Sequence, residues 1–125
     1  MKNSFLKIFL TLILSLNFIN LAFSDEFIFD ISEIEITDNG NFYKGINRGK
    51  ITTPTKVEII SDNFDYFKKI NQLKAYGNAQ IHDVKNNIKI DANIIFYLKD
   101  KEVIYTVGKT LIKISDKYEI EGYDI

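Results

Sequence analysis

The side chains that most often carry chemistry are sparse in this sequence. His82 is the only histidine, cysteine is absent, and the 17 acidic residues are scattered along the chain. Asp83 follows His82 directly, but consecutive side chains of a strand point to opposite faces, so this pair cannot form a base and its orienting carboxylate. We therefore interpret His82 as a surface histidine.

Motifs for cofactors and metals are also missing from the sequence. The turn at residues 38–41, Asp-Asn-Gly-Asn, is shorter than a calcium loop and lacks its closing Glu. We find no phosphate loop, dinucleotide glycine series, nucleophile elbow, or cluster of metal-binding side chains. The sequence predicts a protein that is not an enzyme and holds no cofactor.

The first 24 residues have the order of parts of a secretory signal peptide. Lys2 and Lys7 supply the positive start, residues 8–19 are mostly apolar, and residues 22–24, Ala-Phe-Ser, have the small residues of a cleavage site. An uncut membrane anchor is the alternative, although the apolar run is shorter than the roughly 20 residues that a spanning helix needs. Either interpretation places residues 25–125, one small domain, outside the cytoplasm.

The net charge of that domain bears on its partners, and its lack of cysteine bears on how it is stabilised. Cleavage after residue 24 would leave 14 basic and 17 acidic residues, a formal charge of 14 − 17 = −3, which argues against nucleic acid as a partner. Because a small exported chain without disulfides has a marginal core, we expect it to be held by hydrophobic burial and sheet hydrogen bonds, or to be completed by partners.

Alternating apolar residues and evenly spaced turns predict an all-β antiparallel meander. The alternation begins at Phe27 and changes parity between Ile31 and Ile34, which predicts a bulge around Ser32. Pro54 predicts an edge strand or a break. Residues 62–74 also have helical spacing, but their likeness to a later segment favours a strand.

The predicted strands repeat. Ile60, Ile90 and Ile120 recur every 30 residues, and Gly45, Gly77 and Gly108 are spaced by 32 and 31. Repeats of this length usually form stacked units that bury their apolar faces against one another. The last unit stops at Ile125 in mid-pattern, which predicts a fragment, an end whose last residues fray, or an open edge that adds a strand to a partner.

The candidate site is the apolar face of these strands, which we expect to line the inside of the fold. The alternative is that these residues form an ordinary filled core. The members of this predicted face are Ile81, Ile88, Ile90, Ile94, Phe96, Val103, Tyr105, Ile112, Ile114 and Ile120.

Four segments in order resemble the OstA-like repeat of lipopolysaccharide-transport proteins. They are LKAYGNAQI (73–81), IKIDANIIFY (88–97), VIYTVG (103–108) and YEIEGY (118–123). The resemblance covers about residues 29–125, and segments 45–55 and 83–87 depart from the family wording. No single element is a strong motif; the ordered series is the signal.

The resemblance implies a periplasmic antiparallel β-roll, a twisted β-jellyroll open at its ends. Such a protein carries the lipid A acyl chains of lipopolysaccharide in an apolar trough between the inner and outer membranes. Its implied partners are lipopolysaccharide, other β-roll transport proteins joined edge to edge, and further copies of itself. Two alternatives stay open: a stacking module without a ligand, and the front domain of a longer outer-membrane assembly barrel.

Overall fold

A computed structural model describes residues 26–125 and is all-β in that part of the chain. Ten strands form one open sheet in which every pairing is antiparallel. The predicted signal segment, residues 1–24, lies outside the described residues. The strands are β1 Ile28–Asp30, β2 Glu33–Thr37, β3 Phe42–Ile46, β4 Gly49–Thr52, β5 Glu58–Ser61, β6 Asn63–Phe67, β7 Gln72–Asp83, β8 Ile88–Leu98, β9 Val103–Ile114 and β10 Tyr118–Tyr123.

The sheet divides into two arms because β7 pairs with different strands along its two halves. Its first half pairs with β6 and its second half with β5. Arm A contains β2, β3, β6 and residues 72–76, 94–98 and 103–107 of the long strands. Arm B contains β1, β4, β5, β10 and residues 79–83, 88–92 and 110–114.

The long strands bend where they pass from one arm to the other. Gly77 and Gly108 have φ of 83° and 87°, and Asn78 has φ of 46°. The register between β7 and β8, and between β8 and β9, shifts by one residue at these positions. Each bend is therefore a β-bulge built on a left-handed residue, which only glycine, and less readily asparagine, adopts at low cost.

Short 3-10 turns join the strands of arm A and stack on one another. They span Asp38–Gly40, Lys68–Ile70 and Lys99–Lys101. The Lys68 amide donates to the Asn41 carbonyl at 2.8 Å, and the Lys99 amide donates to the Asn71 carbonyl at 3.0 Å. These hydrogen bonds repeat from turn to turn, so successive units keep a fixed stacking distance.

The hydrophobic core lies between the two arms. Phe29 of arm B packs against Tyr43 and Tyr66 of arm A, with ring centroids 5.6 and 5.9 Å apart. Because both arms direct alternate side chains inward, one cluster gathers buried residues from the five strands β4 to β8 and from Phe27. Its buried members are Phe27, Ile51, Ile59, Phe64, Tyr66, Leu73, Ala75, Ala79, Ile81, Ala92, Ile95 and Tyr97.

The structure corrects the predicted bulge around Ser32. Residues 28–30 pair with β4 in arm B, whereas residues 33–37 pair with β3 in arm A. The change of parity therefore marks the chain crossing from one arm to the other and not an extra residue in one strand. The prediction of strands across residues 62–74 is confirmed, with the 3-10 turn at residues 68–70 between them.

Two other predictions about the chain have different outcomes. The break at Pro54 is confirmed, since this residue lies in the turn between β4 and β5. The equivalence of the three glycines is wrong for Gly45, which is buried within β3 beneath the Ile31 side chain instead of lying at a bend. Asn47 and Arg48, with φ of 66° and 36°, occupy the corresponding bend in the first unit.

Candidate functional site

A row of six isoleucines crosses the inner face of arm B. The pairs run Ile51 to Ile59, Ile59 to Ile81, Ile81 to Ile90, Ile90 to Ile112 and Ile112 to Ile120. Each isoleucine lies directly opposite the next on a neighbouring strand, where β-branched side chains pack well. We call this row the isoleucine ladder.

Burial decreases along the isoleucine ladder. Ile59 and Ile81 are 0% and 1% exposed, Ile90 and Ile112 are half-buried, and Ile120 is 47% exposed. The first three isoleucines are therefore core, while arm A covers the last strands less completely. The uncovered end is an apolar inner surface open to a ligand or to a partner.

A second apolar row runs beside the ladder at this open end. Ile88 lies opposite Ile114, and Ile114 lies opposite Tyr118. Ile88 and Ile114 are half-buried, and Tyr118 is 66% exposed. Six of the ten predicted site residues thus share the inner face of arm B, namely Ile81, Ile88, Ile90, Ile112, Ile114 and Ile120.

The other four predicted site residues lie on the opposite face, so the prediction that they line the interior is wrong. Inward-facing positions on β8 change from Ala92 to Ile95 across the bulge, and Ile95 is 1% exposed. Side chains alternate along a strand, so Ile94 and Phe96 point outward from arm A. The residues opposite them, Tyr105 and Val107, point outward as well, as does Val103 opposite Leu98.

The outward group forms an apolar patch on arm A. The rings of Phe96 and Tyr105 are stacked, and the Lys74 ammonium lies 5.0 Å from the Tyr76 centroid and 5.9 Å from the Phe96 centroid. The patch is rimmed by charge, and its outermost members are well exposed. We call this set the outer patch: Tyr76, Ile94, Phe96, Leu98, Val103, Tyr105 and Val107.

The outer face of arm B has a different character, because charged side chains pair across its strands. The ammonium groups of Lys50 and Lys109 lie 3.0 and 2.7 Å from carboxylate oxygens of Glu58 and Glu121. His82 is half-buried in this face, opposite Glu58 on one side and Lys89 on the other. These cross-strand pairs give this face a charged and solvated character.

The interior opens at the edge of the two arms farthest from the bends. A cleft of about 310 Å³ lies there, with aromatic walls from Phe27, Phe29, Tyr43 and Tyr66. Lys68, Lys99, Asn71 and Glu26 stand around the cleft. A separate cleft of about 280 Å³ lies at the bend and is lined mainly by polar residues, so it does not continue the apolar interior.

Two tyrosines at the mouth of the interior have a raised pKa. Burial raises the pKa of Tyr66, with a further contribution from the nearby Glu26 carboxylate, and burial likewise raises the pKa of Tyr97. The Tyr66 hydroxyl donates to the Asn71 side-chain oxygen at 3.1 Å. Since both rings stay uncharged at neutral pH, they present apolar surface to the interior.

Three strands are free edges among the described residues. β1 pairs only with β4, β2 pairs only with β3, and β10 pairs only with β9. Ile36 on β2 is 55% exposed although it shares the inner face with Tyr43. Unpaired amides beside exposed apolar side chains are the features on which another strand can pair.

Sequence reasoning missed the residues that close the interior at its mouth. Phe27, Tyr66, Tyr97 and Ile59 are buried, but none of them was among the predicted site residues. The 30-residue repeat aligns Ile60, not Ile59, with Ile90 and Ile120. Ile60 points outward opposite Lys50 and Gln80, and its neighbour Ile59 is the residue that points inward. Its pairing partners on either side could not be known from the sequence.

Residues 26–125 contain no group of three or more metal-binding side chains and no helix long and apolar enough to cross a membrane. No model of a known protein family matches the chain, and neither does any curated protein. The proposed function therefore rests on the geometry of the inner face.

Proposed function

We propose that this chain is a non-enzymatic periplasmic carrier of the OstA-like kind, a β-roll that shields the acyl chains of lipopolysaccharide between its arms. The observation that carries the proposal is the exposure gradient along the isoleucine ladder. The ladder continues beyond the filled core to Ile120, which is 47% exposed and offers apolar surface to a ligand. Burial of this apolar surface by an alkyl chain is favourable by about 25 cal/mol per Å².

Charge at the mouth of the interior agrees with an anionic amphiphile. Lys68 and Lys99 stand beside the aromatic cleft together with one carboxylate, Glu26, so two ammonium groups outnumber the acidic group there. An acyl chain in the interior would direct its head group toward these ammonium groups. The lipid A moiety has both features, apolar chains and a negatively charged head group.

The free edges support the proposed partners. β2 in arm A and β10 in arm B are antiparallel edge strands with apolar inner residues, Ile36 and Ile120. Pairing of such edges between different molecules would continue the sheet and join the two interiors. The proposed partners are related β-roll transport proteins and further copies of this chain.

A photo-crosslinking experiment tests the carrier proposal. A benzoylphenylalanine at Ile114, on the inner face, is compared with one at Lys113, the next residue on the outer face of the same strand. In cells that make labelled lipopolysaccharide, we expect an adduct from position 114 and none from position 113. Adducts from both positions, or from neither in folded protein, would contradict an inner carrier surface.

A stacking module without a ligand is the second candidate, favoured by the filled part of the interior. Ile51, Ile59 and Leu73 are 0% exposed, so the half of the fold near β4 and β5 has an ordinary core. In that case Ile120 and Tyr118 would be covered only by the next module. The absence of any lipid in protein purified from the cell envelope, together with assembly into filaments, would favour this candidate.

A further inference from the structure

The segment that leads into the sheet crosses the mouth of the interior. We call residues 27–31 the strap. Phe27 is 7% exposed, although its neighbour Ile28 is 67% exposed and Glu26 is exposed as well. Because side chains alternate along an extended segment, the Phe27 ring points into the interior while its neighbours point out.

The Phe27 ring fills the interior at the level of two arm A tyrosines. Its centroid lies 5.1 Å from that of Tyr66 and 5.7 Å from that of Tyr97, and both pairs meet edge to face. The Lys99 ammonium lies 5.6 Å from the centre of the Phe27 ring. Phe27 thus reaches from the arm B side to arm A and closes the gap between them.

The two ends of the strap are held differently. At one end Ile31 lies against Gly45 and Gly49, where a Cβ at either glycine would come within 2.9 and 2.6 Å of the Ile31 side chain. At the other end, β1 has only three paired residues with β4 and no second partner among residues 26–125. The fixed end is therefore at Ile31 and the weakly held end is at Phe27.

We infer that the strap is a displaceable closure of the interior, and that an acyl chain binds between Tyr66 and Tyr97 by taking the place of Phe27. This inference rests on the proposed carrier function and concerns how its site is opened. An alkyl chain and the Phe27 ring bury the same aromatic walls, so they cannot occupy this level together. Release of the Phe27 end requires the loss of the short β1 to β4 pairing and of the ring contacts of Phe27, while Ile31 holds the strap in place.

An engineered disulfide that locks the strap tests the inference. The natural chain has no cysteine, so two introduced cysteines can pair only with each other. Ile28 and Thr52 are opposite one another on β1 and β4. Opposite residues of antiparallel strands have Cα atoms about 4.5–5.5 Å apart, which suits a disulfide. In the Ile28→Cys, Thr52→Cys variant the oxidised form pins the strap beside Phe27, and the reduced form releases it.

The probe is dodecanoic acid carrying a BODIPY fluorophore, and the measurement is its dissociation constant. We expect binding to the oxidised lock to be at least tenfold weaker than binding to the reduced lock. The matched control is Glu35→Cys, Lys44→Cys, an outer pair on β2 and β3 whose oxidation should change the affinity less than twofold. Phe27→Ala should bind the probe several times more tightly than wild type, and Ile28→Ala should bind it as wild type does.

The outcomes separate the strap from the carrier proposal. Equal or tighter binding by the oxidised Ile28–Thr52 lock, in a protein that does bind the probe, would overturn the strap and leave the carrier function standing. Failure of wild type and of the reduced lock to bind either the probe or purified lipopolysaccharide would remove both. Loss of binding in Phe27→Ala, with the fold intact by circular dichroism, would also overturn the strap, because Phe27 would then be part of the ligand site.

Discussion

The rings of Phe96 and Tyr105 stack on the outer face of arm A, with their centroids 4.7 Å apart and their planes 9° from parallel. This pair belongs to the outer patch and not to the interior. The chain therefore has an apolar surface on the outside of arm A in addition to its inner face. Substitutions on the two faces of β8 should have different consequences.

We expect Ile94→Asp and Ile95→Asp to differ greatly in stability. Ile95 is 1% exposed in the core, so a carboxylate there would be buried without a partner and should cost about 3 kcal/mol or more. Ile94 is half-buried on the outer patch, and its aspartate can reach water, so the loss should be about 1 kcal/mol. Urea unfolding measures both values, and equal losses would contradict the assigned faces.

The bends of the long strands should depend on their glycines for two separable reasons. Gly77→Ala places a side chain at φ of 83° and brings its Cβ within 3.0 Å of the Asp62 Cβ atom. Gly40→Ala places one at φ of 84° with nothing within 4 Å. The first substitution should cost about 1–2 kcal/mol more than the second, because only Gly77 adds crowding to backbone strain. Thermal unfolding of the two variants gives the difference; a larger loss in Gly40→Ala would be inconsistent with this account.

Truncating a buried isoleucine of the ladder should mainly lower stability, whereas truncating an exposed one should mainly lower ligand binding. Ile81→Ala leaves a cavity at a position that is 1% exposed and should cost about 2–5 kcal/mol. Ile120→Ala removes a side chain that is 47% exposed and should cost less than about 1 kcal/mol. Under the carrier proposal Ile120→Ala should nevertheless lower lipopolysaccharide binding, which titration with the labelled lipid measures. Unchanged binding in Ile120→Ala would count against the open end of the ladder as a ligand surface.

The turn between β7 and β8 should contribute a small stability that depends on pH. Hydrogen bonds from the Asn86 side chain and backbone amide lower the pKa of Asp83. Because the pKa is lowered in the folded state, the contribution is present above the ordinary aspartate pKa and is lost as the pH falls through the lowered value. Asn86→Ala should raise the Asp83 pKa toward its ordinary value, which an NMR titration of the carboxyl carbon measures. In Asp83→Asn the same pH dependence of stability should be absent.

The sequence by itself determined the strand content, the antiparallel order and most of the turns. Alternation of apolar and polar residues indicates strands with one buried face. Asn-Gly at residues 39–40 and Pro54 indicate where a strand ends. Each of these signals is local, because a few neighbouring residues fix the backbone angles or remove a hydrogen-bond donor. For the same reason the sequence indicated Ile81, Ile88 and Ile90 as members of one face.

Only the tertiary structure decided which apolar side chains of the long strands point into the interior on the arm A side of the bends. The buried positions of β8 pass from Ala92 to Ile95 where its register with β7 and β9 shifts, and these shifts are defined by pairing between strands. Ile94 and Phe96 therefore alternate with Ile88 and Ile90 in the sequence but point outward. The insertion of Phe27 beside Tyr66 and Tyr97 joins residues from distant parts of the chain, and no local pattern specifies such a contact.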